Sequence, residues 1–347
     1  MRMKSAPRSR SRSSELRAVG SGLIALDVIL DKTSSPITSA VGGSAGNVLA
    51  ALAYLGWNSI PVCELGKDEA AEKVRGEFHK LKADLRFVVQ SDDACTPVVY
   101  QMPAEEHERE THTFSFRCPT SGERRGFSPP SDSHLSEQVY QDVPKPSVFY
   151  FDRVTDVSLD LAEKYRARGV LVVFEPSTVP SDLDDFQRAI SASDILKYAD
   201  NRFDDFPLDV SNVRLEIKTM GEQGLQFRIP SVVGSWTSLP AISVPSVADT
   251  AGAGDWCTAG LLASLFDASS HPDISYDAVY DGLRFGQSLA AANCMFTGAR
   301  GVTERWTARR MKLYAEALME KSATSGRPTK KAKVKVIQPL SGELLEV

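Results

Sequence analysis

No apolar run in this 347-residue chain reaches the roughly 18 to 20 residues that a membrane-crossing helix needs. The N-terminal MRMKSAPRSRSRSS has basic residues but no apolar segment behind it, so no secretory leader is read there and a cytoplasmic location is expected. Cysteine is scarce. Cys63, Cys95, Cys118, Cys257 and Cys294 are scattered without a CxxC pair, which argues against a disulfide framework or a zinc site. The five histidines form no HxxxH or HExxH spacing, and no GxxxxGK[ST] loop is present, which removes histidine-based metal chemistry and P-loop chemistry on motif grounds.

The net charge of -5 conceals an asymmetry. Residues 1–14 carry five basic and no acidic side chains, and RPTKKAKVK (327–335) carries five more, so the body between them is acidic. An acidic body is a poor nucleic-acid surface, and short Ser- and Pro-bearing tails are expected to be disordered and solvated. The expected organisation is therefore a basic tail over 1–14, a single domain over 15–322 and a second basic tail over 323–347.

Within the body, short β-branched runs (LRAVG, SIPVCELG, SVFYFD, GVLVVFEP, LEIKTMG, AISVPSV) alternate with helical patterns at 47–55, 68–82, 158–168, 256–266 and 277–296. That alternation predicts a parallel sheet covered by helices. NVLAALAYL is apolar almost all round and stops at Gly56, which predicts a buried helix with a glycine at its C-terminus. Residues 85–128 break the rhythm with short alternating runs among turns, which predicts a small β insertion.

Three glycine-bearing stretches stand out. VGSGLIA (Val19–Ala25) matches GxGxxA, yet LIALDVIL continues as strand rather than helix, and no Asp or Glu occurs from Lys32 to Cys63 to hold a ribose; a dinucleotide site is excluded. VGGSAGN (Val41–Asn47) precedes the buried helix and reads either as a tight strand-to-helix turn or as a flat floor for a polyol, with the Asn47 amide reaching hydroxyls. Asp27 interrupts the apolar LIALDVIL, where a lone carboxylate is expensive to bury, so a ligand-binding strand end is as good an account as a structural one. DTAGAGD (Asp249–Asp255) feeds an apolar helix: its glycines expose backbone N–H groups at a helix N-terminus, which suits a phosphate. A carboxylate there repels that ligand unless it has a chemical task, such as taking a proton.

Taken in order, Asp27, GGSAGN, LGKD (65–68), TMGEQG (219–224), DTAGAGD and the late RFGQSLAAANCMFTGARG resemble the ribokinase-like (PfkB) family of carbohydrate and nucleoside kinases, over residues 17–302. The resemblance implies a three-layer α/β/α sandwich with a mainly parallel sheet and a small β lid, formed from segments near 24–41 and 85–128. It implies ATP and magnesium as cofactors, with Asp255 as general base and the amides of Gly252, Ala253 and Gly254 as an anion hole. Asp27, Gly42, Gly43 and Asn47 would contact substrate hydroxyls. Thr219, Gly221 and Gly224 would border the nucleotide, and Gln287 would lie near the adenine. Asp249 and Ala251 would hold a monovalent cation such as potassium, and the lid would pair two subunits into a homodimer.

The sequence departs from the family in two places. Where an NxxE motif organises magnesium, LKYADNRFDDF gives Ala199 and Arg202, or, shifted by two, Asn201 and Asp204. Cys257 replaces the usual aromatic two positions after the base, with Trp256 beside it. Arg117 and Arg153 lie where a substrate phosphate would be bound, or are ordinary surface or ion-paired arginines. Phe114, Phe116 and Phe127 suit either a nucleobase or a small β core. The expected activity is ATP-dependent phosphorylation of a sugar hydroxyl, with a nucleoside kinase or a catalytically silent sugar-binding protein of the same fold as alternatives.

Overall fold

A computed structural model describes residues 15–103, 112–177, 182–200, 209–266 and 271–323. The chain begins with β1 (Arg17–Ser21), β2 (Ala25–Leu30), β3 (Pro36–Gly42), helix α1 (Ser44–Tyr54), β4 (Asn58–Gly66), α2 (Glu69–Lys80) and β5 (Val88–Ser91). Then come β6 (Val98–Pro103), β7 (His112–Ser115), α3 (Leu135–Asp142), β8 (Val148–Phe151), α4 (Asp156–Ala167), β9 (Leu171–Phe174), α5 (Leu183–Ser191) and β10 (Ile195–Ala199). The last third holds β11 (Leu215–Thr219), β12 (Leu225–Ile229), β13 (Val233–Leu239), α6 (Ala253–Leu265), α7 (Tyr276–Asn293), α8 (Val302–Arg305) and α9 (Ala308–Ala323).

Nine strands form one sheet in the order β13-β12-β11-β10-β9-β8-β1-β4-β5. From β11 to β5 every neighbour pairs parallel, while β12 and β13 add antiparallel. The parallel strands VFYF and LVVF are apolar at every position because helices cover both faces. On one face α1, α2, α6, α7 and α9 build a core around Leu49, Phe78, Trp256 and Leu283. On the other, α3, α4 and α5 pack around Phe149, Tyr165 and Phe186. This is the expected α/β/α sandwich. Helix α1 ends as expected, with Gly56 in the left-handed region just after it.

A second sheet of four strands, β3-β2-β6-β7, is built from the segments expected to form the lid and takes that name. The chain leaves the main sheet for it at Gly22. That residue has φ +130°, and a Cβ there would stand 1.7 Å from Asp152 Oδ1, so glycine meets both a conformational and a spatial demand. LIALDVIL is therefore strand, but strand of a different sheet. Two expectations change here. Residues 88–91 pair parallel with β4 at the edge of the main sheet, so the second lid segment begins at β6 rather than at 85. AISVPSV is no strand, since Pro240 and Pro245 bracket a stretch whose backbone N–H groups are not spent on a ladder.

Helices α6 and α7 touch through glycine. A Cβ on Gly260 would sit 2.5 Å from Gly286 Cα, and one on Gly286 would sit 2.3 Å from the Cys257 carbonyl oxygen. Gly260→Ala is expected to destabilise the protein by about 1–3 kcal/mol through overpacking, read as a lower midpoint in urea unfolding. Among the described residues no helix is long and apolar enough to cross a membrane.

Candidate active site

In the main sheet the order of strands turns back between β1 and β8, and the carboxyl ends of strands beside such a reversal leave a crevice that suits a ligand. Gly22 follows β1, Asp152 and Arg153 follow β8, Glu175 follows β9, Lys197 lies in β10 and Thr219 ends β11. Over these ends stand the N-termini of α1 and α6. Neither has a side-chain cap, and Gly43 and Gly252, both with φ +73°, occupy the capping positions.

Asp255, in the first turn of α6, is held by Asn47 from α1, whose Nδ2 donates to Asp255 Oδ2 at 2.9 Å. The other amide atom, Asn47 Oδ1, is buried with no hydrogen-bond partner among the described residues, which marks a place for a donor from a ligand. Burial pushes the Asp255 carboxyl well above the ordinary carboxylate range; nearby Glu175 adds to this, while Lys197 and the Asn47 amide oppose it. The N–H groups of the preceding turn divide. Ala253 N donates to Thr250 O at 3.2 Å and is thereby engaged, contrary to its expected place in an anion hole. Gly252, Gly254 and Asp255 keep backbone N–H groups with no acceptor among the described residues, at the positive end of a 13-residue helix. Gly252 cannot be replaced without strain, since its Cβ would meet Ala299 O at 2.4 Å in addition to the left-handed φ.

Asp27 lies in the lid strand β2 and accepts from Gly43 N at 3.2 Å. Burial raises its carboxyl to about 7 against the pull of Arg300 and of that amide. The carboxylate occupies the space beside Gly42, where a Cβ would come 1.8 Å from Asp27 Cγ, so the GG pair is there to admit a side chain. Arg300 donates through Nε and Nη2 to Val41 O at 3.2 and 2.9 Å and anchors β3 from the far end of the chain.

The structure thus joins Asp255, in the turn of Gly252 and Gly254, to Asn47 near the N-terminus of α1, and joins Asp27 to Gly42 and Gly43 at that same N-terminus. Other expected residues are placed differently. Arg153 directs Nη1 to Asp152 Oδ2 at 3.1 Å and lies over the Phe127 ring, so its charge is already paired. Arg117 Nη1 donates to Gly122 O at 2.6 Å within its own turn. Phe116 and Phe127 pack against the small cluster of Leu23, Ala25 and Val99 beneath the lid. Thr219, Gly221 and Gly224 border the β11–β12 turn, where Gly224 N donates to Gly221 O at 3.0 Å. Gln287 is tied into a buried network, accepting from Arg284 Nη1 at 3.2 Å and donating to Pro240 O at 3.3 Å. Asn201 and Asp204 lie outside the described residues.

Three charged side chains on or just after the central strands lie outside the motifs legible in the sequence. Asp152 is buried and accepts from Leu23 N at 2.8 Å. Lys197, fully buried, forms an ion pair with Glu175 and donates to Gly254 O at 3.2 Å. Glu175 also accepts from Thr258 Oγ1 at 2.8 Å and Tyr150 OH at 3.3 Å. Burial alone would lower the Lys197 ammonium, but Glu175 holds it above its ordinary value. Lone charges in VFEPS and ILKYA carried the same signal as the aspartate in LIALDVIL, a charged residue inside an apolar strand pattern.

No group of three His, Cys, Asp or Glu side chains among the described residues is arranged to hold a metal ion. Glu175, which lies beside the Asp255 turn, is occupied by Lys197 and Thr258, and the described residues offer no cluster of carboxylates to a protein-held magnesium ion.

A family model described as pfkB family carbohydrate kinase matches residues 17–117. The chain is 25% identical over 287 residues to a fructokinase of Klebsiella pneumoniae, an alignment covering 74% of this chain and 87% of that protein. Its fold superposes on ribokinase from Giardia lamblia with a TM-score of 0.67 at 17% identity, covering 89% of this chain and 100% of that one. A fructokinase double mutant from Vibrio cholerae, in its fructose-, ADP- and potassium-bound form, gives 0.64 at 17% identity, covering 86% and 98%. The resemblance to pfkB family carbohydrate kinases is therefore matched by a family model over residues 17–117, and the solved structures share the fold.

Proposed function

We propose that this ribokinase-like carbohydrate kinase transfers the γ-phosphoryl group of ATP to a hydroxyl of a sugar or sugar derivative, with Asp255 as the base. The observation that carries the reading is geometric: Asp255, held by Asn47, lies in the same turn as backbone amides of Gly252, Gly254 and Asp255 that have no acceptor among the described residues. The nucleotide enters as its magnesium complex. Asp255 takes the proton of the acceptor hydroxyl while the new O–P bond forms and the bond from the γ-phosphorus to the bridging oxygen breaks, leaving ADP. Charge on the transferred group falls on the α6 amides, where fixed donors stabilise it without reorganising.

On the acceptor side, Asp27, whose carboxylate already takes the Gly43 amide, and the backbone at Gly42 meet the substrate hydroxyls, and Asn47 both steadies Asp255 and offers its Oδ1 to a hydroxyl donor. Thr219, Gly221 and Gly224 form the nucleotide edge in this reading, with Gln287 supporting it from behind through Pro240. The lid sheet leaves Ile37 and Phe114 62% and 55% exposed, apolar surface that a second copy would cover in a homodimer. A coupled ADP-release screen over ribose, fructose, other hexoses, adenosine, inosine and cytidine tests the assignment. Turnover with a free sugar is expected to exceed that with any nucleoside. Sugar binding without ADP release from any acceptor would leave a silent binding protein instead.

A further inference from the structure

Asp249, the first aspartate of DTAGAGD, is buried, and its two oxygens are fully engaged. Oδ1 accepts from Ala251 N at 2.9 Å and lies 2.9 Å from His112 Nδ1. Oδ2 accepts from Gln101 Nε2 at 2.6 Å and from Gly298 N at 2.7 Å. A carboxylate offers about four lone-pair positions, and four N–H donors fill them here. The second oxygen expected to bind a cation, the Ala251 carbonyl, accepts from Asn293 Nδ2 at 3.2 Å. An alkali cation needs several oxygen lone pairs turned towards it, whereas the Asp249 carboxylate has spent its own on N–H donors and the Ala251 carbonyl has one of its two taken. The residues therefore do not fit the monovalent cation that the family resemblance implies.

The two side-chain donors share an origin. Gln101 lies in β6 and His112 in β7, neighbouring antiparallel strands of the lid, so the lid reaches into the loop that precedes α6. We propose that this chain dispenses with a monovalent cation and that Gln101 and His112 take its place, so that the lid itself fixes the turn presenting the Gly252, Gly254 and Asp255 amides. These donors outweigh burial at Asp249 and hold its carboxyl at about 2, so the acceptor they address stays ionised throughout the neutral range. A consequence is that displacing the lid disturbs the phosphate end of the site, because Asp249 also carries the Ala251 and Gly298 amides. The consequence for turnover rests on the kinase reading proposed above; the cation question itself does not.

The test uses the full-length protein in potassium chloride against tetramethylammonium chloride at equal ionic strength, with two readouts, thermal unfolding and ADP binding. The wild type is expected to show the same unfolding midpoint and the same ADP affinity in both salts. The double variant Gln101→Ala/His112→Ala vacates two of the four positions on Asp249. It is expected to gain potassium dependence, with a higher midpoint and tighter ADP binding in potassium, as linkage requires of an ion that binds only the folded state. Potassium stabilisation of the wild type overturns the proposal. So does a folded double variant that remains indifferent to potassium. Should the double variant not fold, His112→Ala alone is scored by the same two measurements. Failure to bind ADP in either salt counts against the kinase reading, and the unfolding midpoints then still decide the cation question.

Discussion

Asp255→Asn is expected to lower kcat by about 100- to 10,000-fold, the range for removing a general base, while ADP still binds. The substitution preserves size and the hydrogen-bonding partner of Asn47, so the α1–α6 contact survives. It also separates activity from stability. Burial raises the Asp255 carboxyl, so the stability that this group contributes is present below its unfolded pKa and is lost as pH rises through its higher folded value. Asparagine has no such loss. The variant's unfolding midpoint should therefore decline less steeply than that of the wild type as pH rises above the ordinary carboxylate range. For the wild type, kcat should rise with pH as the raised carboxyl ionises. A variant with undiminished turnover, or a variant that unfolds, would remove the basis for Asp255 as the base.

Lys197→Met should be the most damaging single change to stability, at about 3–5 kcal/mol, because it strands Glu175 as an uncompensated charge. Glu175 follows the end of β9 and Lys197 lies within β10, where it also donates to Gly254 O in the α6 turn. Removing the ammonium takes away the charge that restrains Asp255, so the rising limb of the kcat–pH profile should move to higher pH in whatever protein remains folded. The raised Lys197 contributes stability at neutral pH that fades only as pH rises through its alkaline folded pKa, so the deficit should persist across the neutral range. Changing Glu175 to Gln alongside Lys197→Met removes the stranded charge and should recover most of the loss in urea unfolding. If Lys197→Met were as stable as the wild type and left the profile unmoved, the pair would have no bearing on the base.

The legible part of the fold was the part governed by local pattern. Runs such as VFYF and LVVF announced strands covered on both faces, and NVLAALAYL with Gly56 announced a buried helix and its end. AISVPSV looked alike and failed, because β-branched composition cannot outweigh prolines that cannot donate to a ladder. LRFVVQ was strand as expected but joined the main sheet, since nothing within six residues specifies which edge they will meet. In the site, the glycines and Asp255 were readable because a helix N-terminus and a carboxylate in one turn have few other uses. Asp152, Glu175 and Lys197 are not legible as site residues, although each is a lone charge in or just after an apolar run, because such residues gain meaning only from their neighbours on other strands.

By itself the sequence determined the alternation of elements, the glycine turn before α6, the carboxylate at its first turn and the aspartate inside β2. These are consequences of periodicity and of backbone freedom, which act over a few residues. Tertiary structure alone decided that Ala253 spends its amide on Thr250, that Arg153 is paired with Asp152, and that Gln101 and His112 fill the oxygens of Asp249. The reason is that hydrogen-bond capacity is finite. Whether an acceptor is left for a ligand depends on every donor the fold brings to it: Thr250 and Asp152 meet donors close in sequence, whereas two of the donors on Asp249, Gln101 and His112, come from strands more than a hundred residues away.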